Sequence, residues 1–274
     1  HNTMKGSEIY GWRMFTETAG EVALWWELLG TGPTVFLVPG RGDSSDLFPA
    51  RFTDRLIAGG CSVVRYDPRD TGLSGPGGGR YTLSDLTDDA DAVIAATGAG
   101  PVHLVGVSMG GMTLVDLADR RSDLVASLTF IAAMSPDPEA GMGEDFFAAL
   151  EADPVDGMLR AMATTEASDR AWVEAEFARA AERAEPRPDA VAIHQDAAFR
   201  GSRPSVDCLA RIEVSALVVH GDLDRVLPLR HAESLAAGIA DAELVVVSGM
   251  GHLPQPSVWD ELADRTLAHV LNAG

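Results

Sequence analysis

Val102-His103-Leu104-Val105-Gly106-Val107-Ser108-Met109-Gly110-Gly111 decides how the rest of this chain is read. Val102 to Val107 is an apolar run of strand character, and Met112, Leu114, Val115, Leu117 and Ala118 behind it recur at helical spacing. G-V-S-M-G at 106–110 lies between the two. A strand that turns at once into a helix around a serine holds that serine on a strained turn at a sheet end, with its hydroxyl outward. Gly106 and Gly110 suit such a turn, because side chains there would collide across it. Five residues are a weak signal by themselves; partners in the right order must come from elsewhere.

Working outward, the flanks repeat the same alternation. Upstream, Val22–Leu29, Thr34–Val38 and Ser62–Tyr66 read as strands. A helix is expected between the last two, with Phe48, Phe52, Leu56 and Ile57 on its apolar face. Ser84–Thr97 is an amphipathic helix ended by Gly98-Ala99-Gly100-Pro101, and the glycine-rich loop Gly75–Arg80 before it reads as mobile. Downstream come strands at Val125–Ala133, Val214–His220 and Glu243–Val247, with helices at Arg230–Ile239 and Ser257–Leu271. Strand and helix alternating at this rhythm imply an α/β class: a mostly parallel sheet of about eight strands, covered by helices.

The rhythm fails between Ser135 and Cys208, where no strand pattern occurs. Helical stretches are expected at Glu144–Leu150, Gly157–Thr165, Ala171–Ala184 and Val191–Phe199. Some 70 residues are too many for a connection. The expected organisation is therefore a core domain of residues 1–134 and 209–274, with 135–208 as a helical cap inserted after the sixth strand. Met142, Met158, Met162, Phe146, Phe147, Trp172 and Phe199 supply its core and a few walls of an adaptable apolar pocket.

The charge narrows the partners. Forty-one acidic against 21 basic residues leave −20 over 274 residues, which speaks against nucleic acid and anionic membrane surfaces, both of which need basic patches. Neutral or cationic small molecules are the easier guests. No apolar run reaches the length of about 18 residues needed to span a membrane. His1-Asn2-Thr3-Met4 lacks the basic and apolar halves of a secretion leader and reads as an expression remnant. Cys61 and Cys208 sit among apolar neighbours, as reduced thiols of a cytoplasmic protein would.

Chemically capable residues fall at three places where strands are expected to end, where open α/β sheets bind ligands. Ser108 follows Val107, Asp222 and Asp224 follow His220-Gly221, and His252 follows Ser248-Gly249-Met250-Gly251. A serine hydroxyl is a poor nucleophile unless a base lies within hydrogen-bond reach. His103 and His220 read as satisfied core histidines, and His194 as a residue of the insertion. No G-x-G-x-x-G follows the first strand, no P-loop occurs, and no His and carboxylate cluster has metal spacing, so neither cofactor nor metal is expected. Asp67, Arg69 and Asp70 read as a salt-bridge cluster pinning their loop.

G-V-S-M-G-G at 106–111, H-G-D-L-D-R-V-L-P at 220–228, G-M-G-H at 249–252 and Y-D-P-R-D-T-G-L-S at 66–74 together carry a resemblance. From about Glu21 onward the chain resembles the α/β-hydrolases, whose triads run in the order Ser, Asp, His. V-P-G-R at 38–41, with 66–74, is similar to the subgroup that contains the aclacinomycin (anthracycline) methylesterase. The resemblance implies Ser108 as nucleophile, His252 as base and then acid, and Asp224 as the group that orients His252, with Asp222 as its rival. It places the oxyanion hole at the backbone N–H groups of Met109 and Arg41, although Pro39 stands where a histidine commonly precedes the glycine.

The activity implied is that of a serine esterase, cleaving a carboxylic ester of a small to medium, largely apolar substrate through an acyl-enzyme. Carbon–carbon bond or thioester hydrolysis is open to the same triad. A non-hydrolytic ligand receptor, or a tailoring lyase or perhydrolase, is open to the same fold.

Overall fold

The computed structural model describes residues 12–17, 22–143, 152–184, 189, 193 and 204–273. Within them an eight-stranded sheet runs in the order β1-β2-β4-β3-β5-β6-β7-β8. The strands are β1 (Trp12–Glu17), β2 (Ala23–Gly30), β3 (Thr34–Val38), β4 (Ser62–Tyr66), β5 (Val102–Val107), β6 (Val125–Ile131), β7 (Ala216–Gly221) and β8 (Ala242–Val247). β1 and β2 pair antiparallel, as do β2 and β4. Every other neighbour is parallel.

The period-two geometry of a strand explains why these runs are apolar throughout. In β3, Phe36 and Val38 face one side of the sheet, and Val35 and Leu37 the other. The first side is covered by α2 (Leu83–Thr97), α3 (Gly110–Arg120) and α6 (Arg230–Gly238), which supply Val93, Leu114 and Leu235. The second is covered by α1 (Ala50–Ala58) and α7 (Pro256–Asn272), where Phe52 and Trp259 meet edge to face at 5.3 Å. Two cores thus clamp one sheet.

Local chemistry sets the boundaries. Thr82 caps α2 in a reciprocal capping box with Asp85, and Gly98 closes the helix at φ +68°. Phe48, expected inside α1, precedes it in extended backbone, because Pro49 follows and disfavours helical conformation at the residue before it. β6 stops at Ile131, since Ala132 turns to φ +44°. β1 escaped the sequence reading altogether: Trp12-Arg13-Met14-Phe15-Thr16-Glu17 is an edge strand whose polar members blur its alternation. The loop at 75–80 is not free at its start, because Gly75 donates to Ala23 O and Gly77 to Asp70 Oδ1.

After β6 the chain forms α4 (Pro154–Ala161) and α5 (Ala167–Arg183). Both begin earlier than their apolar spacing implied; Asp153 caps α4 and Pro154 occupies its first position. Leu159, Ala161, Met162 and Val173 form a small cluster with Leu253 of the β8–α7 loop. Met162 is buried, Met142 exposed, and Met158 and Trp172 half-buried. The stretches expected at 144–150 and 191–199 lie outside the described residues, save helical Ile193, as do Phe146, Phe147 and Phe199. A 3-10 turn, Val206–Arg211, carries Cys208 and Leu209 back into the first core. Both cysteines are buried and free. Among the described residues no helix is long and apolar enough to cross a membrane.

Candidate active site

β5 ends at Val107 and α3 begins at Gly110, so Ser108 is squeezed between them at φ +53°. Such a conformation is costly for a residue with a β-carbon and persists only where its surroundings impose it. Here the Ser108 N–H donates to Ile131 O at 3.2 Å, and Ser108 O accepts from Gly111 and Met134 at 3.0 and 2.8 Å. A β-carbon on Gly110 would stand 2.5 Å from Val38 O, so only glycine lets the helix start press against the end of β3.

Asp224 lies beyond β7, its Oδ1 accepting the backbone N–H groups of Val226 and Leu227, each at 2.9 Å. His252, in the β8–α7 loop, places Nδ1 2.9 Å from Asp224 Oδ2 and Nε2 3.1 Å from Ser108 Oγ. A carboxylate only accepts, so Nδ1 carries the proton and Nε2 is left to accept from the serine hydroxyl. Burial alone would raise the Asp224 carboxyl; the hydrogen bond and charge of His252 outweigh it and hold the group below the ordinary carboxylate range. Three loops from three parallel strands thus join Ser108, His252 and Asp224 in one chain of hydrogen bonds.

Met109 occupies the N-cap of α3, where backbone N–H groups lack intrahelical acceptors. Arg41 is half-buried in the turn after β3. That turn abuts the serine: a methyl placed on Gly40 would lie 3.3 Å from Ser108 Cβ. Asp43, in the same turn, has its carboxyl pushed up to about 6 by burial, against the pull of His252 and Arg41.

Asp222, the rival carboxylate, faces away and accepts from Gly249 N–H and Ser248 Oγ. His103 is a satisfied core residue, 2.9 Å from Ser127 Oγ. His220 is likewise a buried core residue. Its Nε2–H donates to Leu227 O at 2.9 Å and stands 3.3 Å from Asp224 Oδ2, and burial, against the pull of Asp224, holds the ring below the ordinary histidine range. That contact comes from how the loop after β7 folds back, which spacing along the chain does not signal. His231 ties α6 to the stretch that follows β6, accepting from Ser135 N–H and donating to Gly141 O. His194 lies outside the described residues.

The loop after β4 is pinned as its charges implied. Arg69 forms a two-pronged pair with Asp89 at 2.6 Å on each prong. Asp70 accepts from Tyr81 Oη. Asp67, fully buried, accepts from Ser45 N–H, Leu73 N–H and Arg183 of α5. Among the described residues no group of three or more His, Cys, Asp or Glu could hold a metal ion.

Residues 33–257 match the family model described as alpha/beta hydrolase fold. The rhodomycin D methylesterase DauP of Streptomyces sp. (strain C5) is 29% identical, over 92% of this chain and 96% of that protein. A 2-hydroxymuconate semialdehyde hydrolase of Pseudomonas putida is also 29% identical, over 82% of this chain and 83% of that protein. Among solved structures, the meta-cleavage product hydrolase CumD of Pseudomonas fluorescens IP01 superposes with a TM-score of 0.80 at 19% identity, covering 95% of this chain and 98% of that one.

Proposed function

The chain belongs to the alpha/beta hydrolase fold family, and from that premise we propose that it is a serine hydrolase acting on carboxylic esters. One observation carries the reading: Ser108 Oγ, His252 and Asp224 form a continuous hydrogen-bonded chain at the ends of β5, β7 and β8. Ser108 Oγ attacks the ester carbonyl carbon while its proton passes to His252 Nε2, and His252 returns that proton to the leaving alkoxide. Water then releases the acid by the same route in reverse. The N–H groups of Met109 and Arg41 receive the oxyanion, and residues 135–208 act as a cap over the substrate. Two further features support a small, largely apolar substrate: the −20 charge, which disfavours nucleic acid, and the apolar contacts of α4 and α5 beside His252.

The test is a panel of p-nitrophenyl esters of increasing acyl length beside methyl esters of aromatic acids, with a fluorophosphonate probe in parallel. Rapid probe labelling and turnover are expected, both lost in Ser108→Ala. Full ester turnover by Ser108→Ala would sink the proposal. Carbon–carbon bond hydrolysis is the second reading, supported by the relative from Pseudomonas putida; cleavage of a vinylogous diketone with no turnover of any ester would select it.

A further inference from the structure

Asp43 shares its turn with Arg41 and faces the reaction centre from the side of β3. A methyl group on Gly40 would lie 2.9 Å from Asp43 Oδ2 and 3.3 Å from Ser108 Cβ, so a single carbon atom would touch both. The Asp43 N–H closes the turn on Gly40 O at 3.4 Å, which sets the direction of the side chain. Arg41 from its own turn and His252 from the β8–α7 loop are the charged or titratable groups that face it. No hydrogen bond from a described side chain reaches its carboxylate. Burial, outweighing the pull of both neighbours, has moved its ionisation into the range where function operates, as happens to groups kept in clefts for a purpose.

We propose that Asp43 is a substrate-recognition residue, its carboxylate accepting a hydrogen bond from a hydroxyl one or two carbons from the scissile carbonyl, so that hydroxy esters are preferred to plain esters. The inference rests on Ser108 being the nucleophile of an ester hydrolase. Arg41 already supplies a positive charge beside Asp43, so a neutral donor completes the site better than a second cation. A hydroxyl also costs less to desolvate than an ammonium group. The same carboxylate repels the acid product.

The experiment compares methyl butanoate with methyl 2-hydroxybutanoate and methyl 3-hydroxybutanoate, using the full chain and its Asp43→Leu and Asp43→Asn variants between pH 5 and 8. The readout is the ratio of kcat/KM values, in which any pH effect shared by all the esters cancels. A hydrogen bond to a charged acceptor predicts a preference of about 10- to 100-fold for at least one hydroxy ester at pH 8. That preference should shrink below about pH 6 as Asp43 takes up its proton.

Asp43→Leu should bring the ratio close to one. Asp43→Asn, which keeps an acceptor without a charge, should show a weaker preference that does not change with pH. Should Asp43→Leu fail to fold, as read by its melting temperature, the flat pH profile of Asp43→Asn decides the matter. A parent ratio near one, a preference that survives Asp43→Leu, or a pH-dependent ratio in Asp43→Asn overturns the assignment of Asp43 while leaving ester hydrolysis standing. No turnover of any of the three esters overturns the ester reading itself, and this assignment with it.

Discussion

Every residue of β5 is buried, whereas α5, with 17 residues, buries only Val173. The first lies mid-sheet between two apolar cores; the second is held largely through its charged end. Arg179 and Arg183 both reach Asp46, and Arg183 also bonds Asp67 at 2.7 Å while its guanidinium lies 4.3 Å from the Trp25 ring centroid. Apolar burial scales with area and is not weakened by charge screening, whereas ion pairs depend on exposure and screening. The sheet that carries Ser108, Asp224 and His252 at its strand ends is therefore held mainly by apolar packing. The region beside it is expected to loosen without unfolding the sheet.

The most severe test keeps the sheet intact and touches only the hydrogen-bonded chain. Asp224→Asn should lower kcat by about 1,000- to 10,000-fold, because the amide no longer holds His252 in the tautomer that accepts from Ser108. Steady-state kinetics with an unchanged circular dichroism spectrum would check it. Next, Phe130→Ala opens a cavity in the first core and should cost about 3–5 kcal/mol in urea unfolding. Val173→Ala, in α5, should cost about 1–2 kcal/mol. Equal losses would erase the contrast between the two regions.

Arg183→Met keeps the apolar stem but deprives buried Asp67 of its cation, leaving only the two N–H donors. It should weaken the attachment of α5 by about 2 kcal/mol. The expected sign is roughly 10- to 30-fold faster proteolysis within α5, with the melting temperature of the sheet nearly unchanged; a large fall in that temperature would show that α5 and the sheet unfold as one unit.

The smallest effect belongs to Asp43. Its native carboxyl holds a proton up to about pH 6, against 3.8 for an ordinary aspartate. The native state is thus the more protonated within that window, and the stability contributed by this group declines as pH rises through it. Asp43→Asn removes the buried charge and should stabilise the protein by about 1–2 kcal/mol at pH 8, allowing for the partial exposure of the turn, and by nothing at pH 4. Thermal melts of both proteins across that range would measure it. Equal gains at both pH values would trace the effect to packing instead.

Local rules made most of the sheet readable. β3, β4 and β5 are short apolar runs between glycine and proline breaks, and their limits in the structure match the sequence reading. β1 was not readable, because an edge strand needs no continuous apolar run. The starts of α4 and α5 were set by caps and charges rather than by apolar spacing. Ser108, Asp224 and His252 stood out because each follows a strand, and strand ends are visible in sequence. The contact of His220 with Asp224 depended on how the loop after β7 folds back.

By itself, the sequence determined the α/β class, the parallel core and the three strand ends where chemistry could gather, since each follows from the short-range pattern of apolar and turn-forming residues. The tertiary structure decided what spacing along a chain cannot encode. It chose Asp224 over Asp222 as the partner of His252, gave Arg183 its buried carboxylate 116 positions away, and set the Asp43 carboxyl over Gly40 beside Ser108. Each of these depends on where separate loops meet in space, and only the packing of both cores against the sheet brings those loops together.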